Sequence, residues 1–339
     1  MSLGAPGAGE TPRWSAATVG LRGELAAAVP RELLLELHRP RPFKHFAVLA
    51  WQIVLVAGGA AGAALLRPIW LWLPCSVVLG VTFFNFTVLL HEVVHDAVFA
   101  RRGRVRANAF LGWLYAFPSG ISKTQFTRWH LDHHANLGDP ERDPKRRRLS
   151  PKRNARWFKL LYATPALIPL YFRAAALAAR DYAPETRRRI ARERVVTVVG
   201  QLAILATIVA LGGWGTALRV YLVPYLFVFP AAFTLNRLGQ HYDVDPADPA
   251  KWGTRMAPSA FWDIAFLWSS RHLEHHYFPR VPFYNLPRLT RALEPFFRRR
   301  GVRSSTYARL VWQWYVLNRA PHTDWRAAAV APRADRPRP

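Results

Sequence analysis

Residues 46–66 read FAVLAWQIVLVAGGAAGAALL and residues 68–90 read PIWLWLPCSVVLGVTFFNFTVLL, with Arg67 alone between them. Neither run holds a charged side chain. A helix needs about 20 apolar residues to cross the hydrocarbon core of a bilayer, so each run is long enough to span it. A second pair lies in 195–235, a stretch too long for one crossing. It contains Gly212-Gly213-Trp214-Gly215 as a flexible turn, and Arg219 is its one charge. The expected spans are therefore about 46–66, 68–90, 195–214 and 216–235. Near a helix end, Arg219 reaches the interface and avoids the cost of a mid-bilayer charge, about 2.5–3.5 kcal/mol.

Two shorter apolar stretches, 107–122 and 160–172, carry proline and are expected to be re-entrant or interfacial. The first 45 residues lack the apolar core of a signal peptide, so secretion is not expected. The lone cysteine, Cys75, sits in an apolar run and reads as packing; one cysteine allows no internal disulfide.

Charge sets the orientation. The chain has 47 Lys+Arg against 21 Asp+Glu, a net +26. With four spans, only Arg67 and Arg219 fall on the side of the two short turns, and every other basic residue falls on the opposite side. The positive-inside rule makes that basic side cytoplasmic, with both termini there, and the expected location is the inner cell membrane, crossed several times. The triplets 146–148, 187–189 and 298–300 then face anionic lipid heads, and nucleic acid is not expected as a partner.

The expected fold is all-α and integral to the membrane: four transmembrane helices in two hairpins, under a cytoplasmic helical cap. Residues 1–40 form a cytoplasmic N-terminal segment whose first part is disordered. Residues 41–295 form the membrane domain. Residues 296–339 form a cytoplasmic C-terminal segment with a disordered end. Within the hairpins Trp51, Trp70, Trp72, Phe83, Phe84, Phe86, Tyr225 and Phe227 are available to line a tunnel or to face lipid.

Nine of the 12 histidines fall in four places: His91 and His95; His130, His133 and His134; His241; His272, His275 and His276. On a helix, positions i, i+3 and i+4 share a face. HxxxH therefore presents two imidazoles together and each HxxHH presents three. Imidazole is the commonest neutral metal ligand. Between His95 and His241 the chain crosses twice, so all four places lie on the cytoplasmic face. Nine rings exceed what one ion holds, and two ions with four or five each would use them all. Glu92, Asp96, Asp132 and Glu274 lie within or beside the clusters and suit carboxylates that fix ring tautomers. His38, His45 and His322 stand alone and read as structural.

HEVVHD at 91–96, HLDHH at 130–134 and HLEHHYFP at 272–279 resemble the three histidine boxes of the integral-membrane fatty acid desaturase and hydroxylase family. The resemblance covers roughly residues 40–295. NRLGQH at 236–241 is similar to an Asn…His ligand element before the third box of several members. Four residues separate Asn236 from His241 where some members have three, so His241 is the firmer ligand of the two. HLEHHYFPRVPFYNLP and NRLGQHYDVDP look like bacterial acyl-lipid desaturases, including the rhizobitoxine-desaturase-like group. The resemblance implies two iron ions, O2 as oxidant and a fatty acyl lipid as substrate, with no catalytic side chain beyond the metal ligands. Hydroxylation or ketone formation by the same ligands is the alternative outcome. HEVVH also matches the zinc metalloprotease pattern HExxH, a remote alternative along with a metal transporter. The chain has no HPGG haem segment, flavin fingerprint or cysteine cluster, so a separate electron donor such as a ferredoxin is expected.

Overall fold

The computed structural model describes residues 13–99, 104–323 and 325. The ends expected to be disordered, 1–12 and 327–339, lie outside these residues. The described chain is helical, and its one extended pairing is a parallel bridge between Met256 and Ser305.

Among the described residues three helices are long and apolar enough to cross a membrane: Pro42–Leu65, Ile69–Val94 and Pro184–His241. Each continues beyond its uncharged run. The first opens on Pro42, whose fixed φ suits a first helical position. The second runs on to Val94 and so carries His91 on its last turn. The third opens at Pro184, and its charged first turns precede the apolar run that starts at 195.

This third stretch is broken at Gly213, where φ is 72° and ψ is 175°. Such a backbone is essentially restricted to glycine. The chain folds back there, since Tyr221 Oη donates to Gln201 Oε1 at 2.8 Å although the two are 20 residues apart. An unbroken helix would hold them about 30 Å apart. The turn beyond Gly213 meets the turn after the first long helix. Arg219 Nη1 donates to the Leu66 carbonyl at 2.9 Å, and Ser76 Oγ donates to the Arg219 carbonyl at 2.5 Å. Both short turns therefore sit at one end of the molecule. His91 stands at the other end, about 33 Å along the second long helix at roughly 1.5 Å per residue.

Small residues let the long helices approach closely. A Cβ added to Gly62 would lie 2.6 Å from Cys75 Sγ, and one added to Gly59 would lie 3.0 Å from Leu79 Cγ. Close backbone approach through glycine is how helices associate where lipid removes the hydrophobic drive.

The 107–122 stretch forms a helix, Val105–Ala116, and then a loop. That loop reaches the long helices. Gln201 Nε2 donates to the Phe117 carbonyl at 2.7 Å and Tyr225 Oη donates to the Pro118 carbonyl at 2.7 Å. These two carbonyls are thus satisfied by protein, as irregular backbone inside a bilayer would require. The 160–172 stretch overlaps a second short apolar helix, Leu167–Ala179. Beyond the long helices, Leu89 and Leu90 share one buried core with Leu273, Leu286, Phe296 and Phe297. The C-terminal helices are thereby seated on the end of the molecule that carries His91.

Candidate metal centre

The Lys123–Ala135 helix delivers His130, His133 and His134. Ser122 caps it, accepting from the Gln125 N–H. Glu193 of the third long helix fixes the same end. It accepts from Ser122 Oγ at 2.6 Å, Thr124 N at 2.8 Å and Thr124 Oγ1 at 2.5 Å. The short His272–Tyr277 helix is buried along its whole length.

These elements place the nine histidines in two groups. His91, His95, His130, His134 and His275 form one; His133, His241, His272 and His276 form the other. Within each group the ring nitrogens lie within 4.8 Å of one another. Each HxxHH box is shared between the groups. The i, i+4 pair His130 and His134 goes to the first while His133 goes to the second. His272 and His276 go to the second while His275 goes to the first.

Ring orientation shows what the groups fit. His133 Nδ1 lies 3.0 Å from Asp143 Oδ1, and His241 Nδ1 lies 2.9 Å from the Trp252 carbonyl. Both partners only accept, so each Nδ1 carries the hydrogen and each Nε2 presents a lone pair. Those two Nε2 atoms face each other at 3.1 Å, and His272 Nε2 lies 3.0 Å from His241 Nε2. Converging lone pairs repel unless a cation lies between them. In the first group His91 Nε2 is buried without any partner. The donor set and its orientation therefore fit two metal ions.

Burial keeps the rings neutral, as ligation requires. Desolvation first, then the charge of Lys145, pushes His133 down to about 4 and His95 down to about 3. His130, His134, His272, His275 and His276 are lowered well below the usual histidine range, again by desolvation first. Burial alone would raise Asp143. The His133 ring and the backbone N–H groups of Gly138 and Arg146 outweigh it and hold the carboxylate well below its usual range.

Several expected site residues stand elsewhere. Asn236 lines the same cavity as His272 and His275, but its side chain is bonded to other residues: its Nδ2 donates to Ser269 Oγ at 2.7 Å and its Oδ1 accepts from Gln240 at 2.8 Å. Five residues along a helix turn a side chain to another face, whereas four would return it to the face of His241. Of the four expected carboxylates, only Glu92 approaches a ring. Its Oε1 lies 3.7 Å from His91 Nδ1, while Oε2 accepts the Phe283 N–H at 3.0 Å. Asp96 is exposed and accepts from Asn108 at 2.9 Å. Asp132 pairs with Arg128 at 3.4 Å, and Glu274 accepts from Thr290 Oγ1 at 2.8 Å. The sequence reading missed Asp143 and the Trp252 carbonyl. Neither stands at a helical spacing from its histidine, so no periodic signal pointed to them. His322, read as solitary, is half-buried and lines a small pocket with His133 and His241.

A cavity of about 370 Å³ opens from the histidines and runs between the long helices. His91, His130, His272 and His275 border one end, and Tyr171, Tyr221, Tyr225, Phe229 and Phe233 border its apolar length. Of the eight aromatics named from sequence, Phe84 and Tyr225 line it. Trp51, Trp70 and Phe227 face outward instead.

Comparison with known proteins agrees with this geometry. The fatty acid desaturase family matches residues 67–308. The human sphingolipid delta(4)-desaturase/C4-monooxygenase DES2 (Homo sapiens) is 27% identical over 313 residues, covering 86% of each chain. The chloroplastic omega-3 fatty acid desaturase of Glycine max is 23% identical, covering 81% of this chain and 64% of its own. The dihydrorhizobitoxine desaturase of Bradyrhizobium elkanii is 25% identical, covering 64% of this chain and 66% of its own.

Proposed function

The chain belongs to the fatty acid desaturase family, and on that premise we propose that it is an O2-dependent di-iron desaturase that introduces a double bond into a fatty acyl chain. The observation that carries the reading is the pair of histidine groups, with Nε2 lone pairs converging at 3.0–3.1 Å in the second. His91, His95, His130, His134 and His275 would hold one iron, and His133, His241, His272 and His276 the other. An iron pair supplies, when bound, the O2 activation needed to remove hydrogen from unactivated carbon, which no side-chain acid or base does at neutral pH. Imidazole sites also take zinc, with higher affinity than for ferrous iron, so metal content must be read together with turnover.

The chain's own residues bind and orient. The apolar cavity walls would hold the acyl chain against the histidine end and keep water out. Asp143 and the Trp252 carbonyl fix the tautomers of His133 and His241. Glu92 stands beside His91 without entering either group.

Hydroxylation is the second reading. The name of the human relative joins a desaturase and a C4-monooxygenase in one protein. The reading includes four spans, with the Gly213 break separating the last two, and both termini in the cytoplasm of a cell whose inner membrane holds the protein. Support comes from the two short turns meeting at one end and from the basic residues at the other. A separate reduced carrier such as a ferredoxin would supply the electrons.

The test is anaerobic purification of the full chain followed by metal analysis and lipid analysis of an expressing host. About two irons per chain and a new double bond are expected. A chain with one tightly bound zinc, no iron and no lipid product would overturn the proposal.

A further inference from the structure

The main cavity and the small pocket beside it share three lining residues, Lys145, Arg237 and Gln240. Two of these are cations, and both stand where the histidines of the first group give way to those of the second. Lys145 borders His91, His130, His272 and His275 in the cavity, and His133 and His241 in the pocket. Arg237 precedes His241 by one helical turn and so shares its face.

Neither side chain is ion-paired among the described residues, although Asp143 lies in the same small pocket. Lys145 Nζ makes no hydrogen bond or ion pair among the described residues. Arg237 has one weak contact, Nη2 to Ser150 Oγ at 3.5 Å, and its guanidinium lies 5.6 Å from the Phe233 ring centre. The nearest buried carboxylate is already committed. Asp143 takes His133 Nδ1 and the backbone N–H groups of Gly138, Lys145 and Arg146. The other cation on the cavity wall, Arg271, is paired with Asp263 at 2.5 Å and Thr290 Oγ1 at 3.0 Å. Burying an unpaired cation is costly, and bound metal would add more positive charge. Two half-buried cations with no ion pair of their own, at the polar end of an otherwise apolar cavity, suit an anion that arrives with the ligand.

We propose that Lys145 and Arg237 form a subsite for the anionic end group of the substrate, a carboxylate or phosphate carried on an alkyl chain. This rests on the lipid-oxidising reading above and narrows its substrate class. With the anion held between the two histidine groups, the carbons next to it lie beside the metal centre and the tail fills the apolar arm toward Tyr221 and Tyr225. Oxidation then falls on carbons close to the polar end and not in the middle of the chain.

Binding to the full-length, iron-loaded protein in neutral detergent tests this without turnover. The probes are hexadecanoate, hexadecyl phosphate, hexadecanol and inorganic phosphate, and oxygen is excluded. One of the two anionic lipids should bind about ten-fold or more tightly than the alcohol, as expected for hydrogen bonds to charged groups. Which one does so identifies the end group. Lys145→Met and Arg237→Gln should each remove that preference and leave alcohol binding unchanged. The exposed control Arg187→Gln should keep it. Should Lys145→Met not fold, Arg237→Gln and the wild-type preference still decide the matter. Equal binding of alcohol and both anions, a preference retained in either variant, or displacement by millimolar inorganic phosphate with no lipid preference would each overturn the subsite. Iron content and double-bond formation are read on the same preparation. A protein that desaturates without the preference loses the subsite and keeps the function. A protein that shows the preference but holds no iron loses the function and keeps the subsite.

Discussion

Asp143 Oδ1 accepts the Nδ1 hydrogen of His133 across 3.0 Å, while the carboxylate also takes three backbone N–H groups. The bond aims His133 Nε2 at His241. Asp143→Asn replaces an acceptor-only carboxylate by a neutral amide that can also donate, and so lets the ring turn or change tautomer. Metal affinity of the second group should fall about 10–100-fold, the usual effect of losing such a partner. Competition with a chelator measures it. Asp132→Asn, whose native partner is Arg128, should behave as wild type.

The division of the nine histidines predicts which ion each one affects. His275→Ala should deplete the first group and His133→Ala the second, each variant retaining about one of two irons. Asn236→Ala should retain both, because its side chain is bonded to Ser269 and Gln240. Iron per chain by elemental analysis separates these outcomes. Loss of metal in the Asn236 variant alone would contradict the grouping.

Gly213 lies in a backbone region that side chains with a Cβ rarely enter. Gly213→Val should therefore destabilise the fold by about 1–3 kcal/mol. Nothing lies within 4 Å of the added Cβ position, so the loss would come from the backbone and not from a clash. Thermal unfolding in detergent, compared with Gly215→Val where no positive φ is needed, isolates the term.

The excess of basic residues predicts how electrons arrive. Turnover with an acidic one-electron carrier should fall steeply as ionic strength rises from about 0.05 to 0.5 M, because screening shortens the reach of the protein's field. Turnover with a small neutral reductant should not. Salt-independent turnover with the acidic carrier would rule out electrostatic docking.

The hairpins and the nine histidines were legible because both obey a period: an uncharged run of spanning length, and rings at i, i+3 and i+4. The Gly213 break was legible as well, since three glycines within four residues can hardly continue a helix undisturbed. What escaped was aperiodic. Asp143 reaches His133 across a loop, and the Trp252 carbonyl is a backbone group that no side-chain pattern can reveal. The one-residue longer spacing of Asn236 from His241 was legible too, but its bonds to Ser269 and Gln240 were not. Lys145 and Arg237 were counted among a basic surface, and only the folded chain sets them inside.

The sharing of each HxxHH box has a consequence for biosynthesis. His91, His95, His130 and His134 have all been made once the chain reaches residue 134, so the first group has four of its five rings before the second half of the membrane region exists. The second group then has only His133, and it gains the others at 241, 272 and 276. The two histidine groups thus fill unevenly on the growing chain, although His275 and His276 complete them one residue apart. A chain cut short after the last long helix would carry one nearly finished site and one half-built.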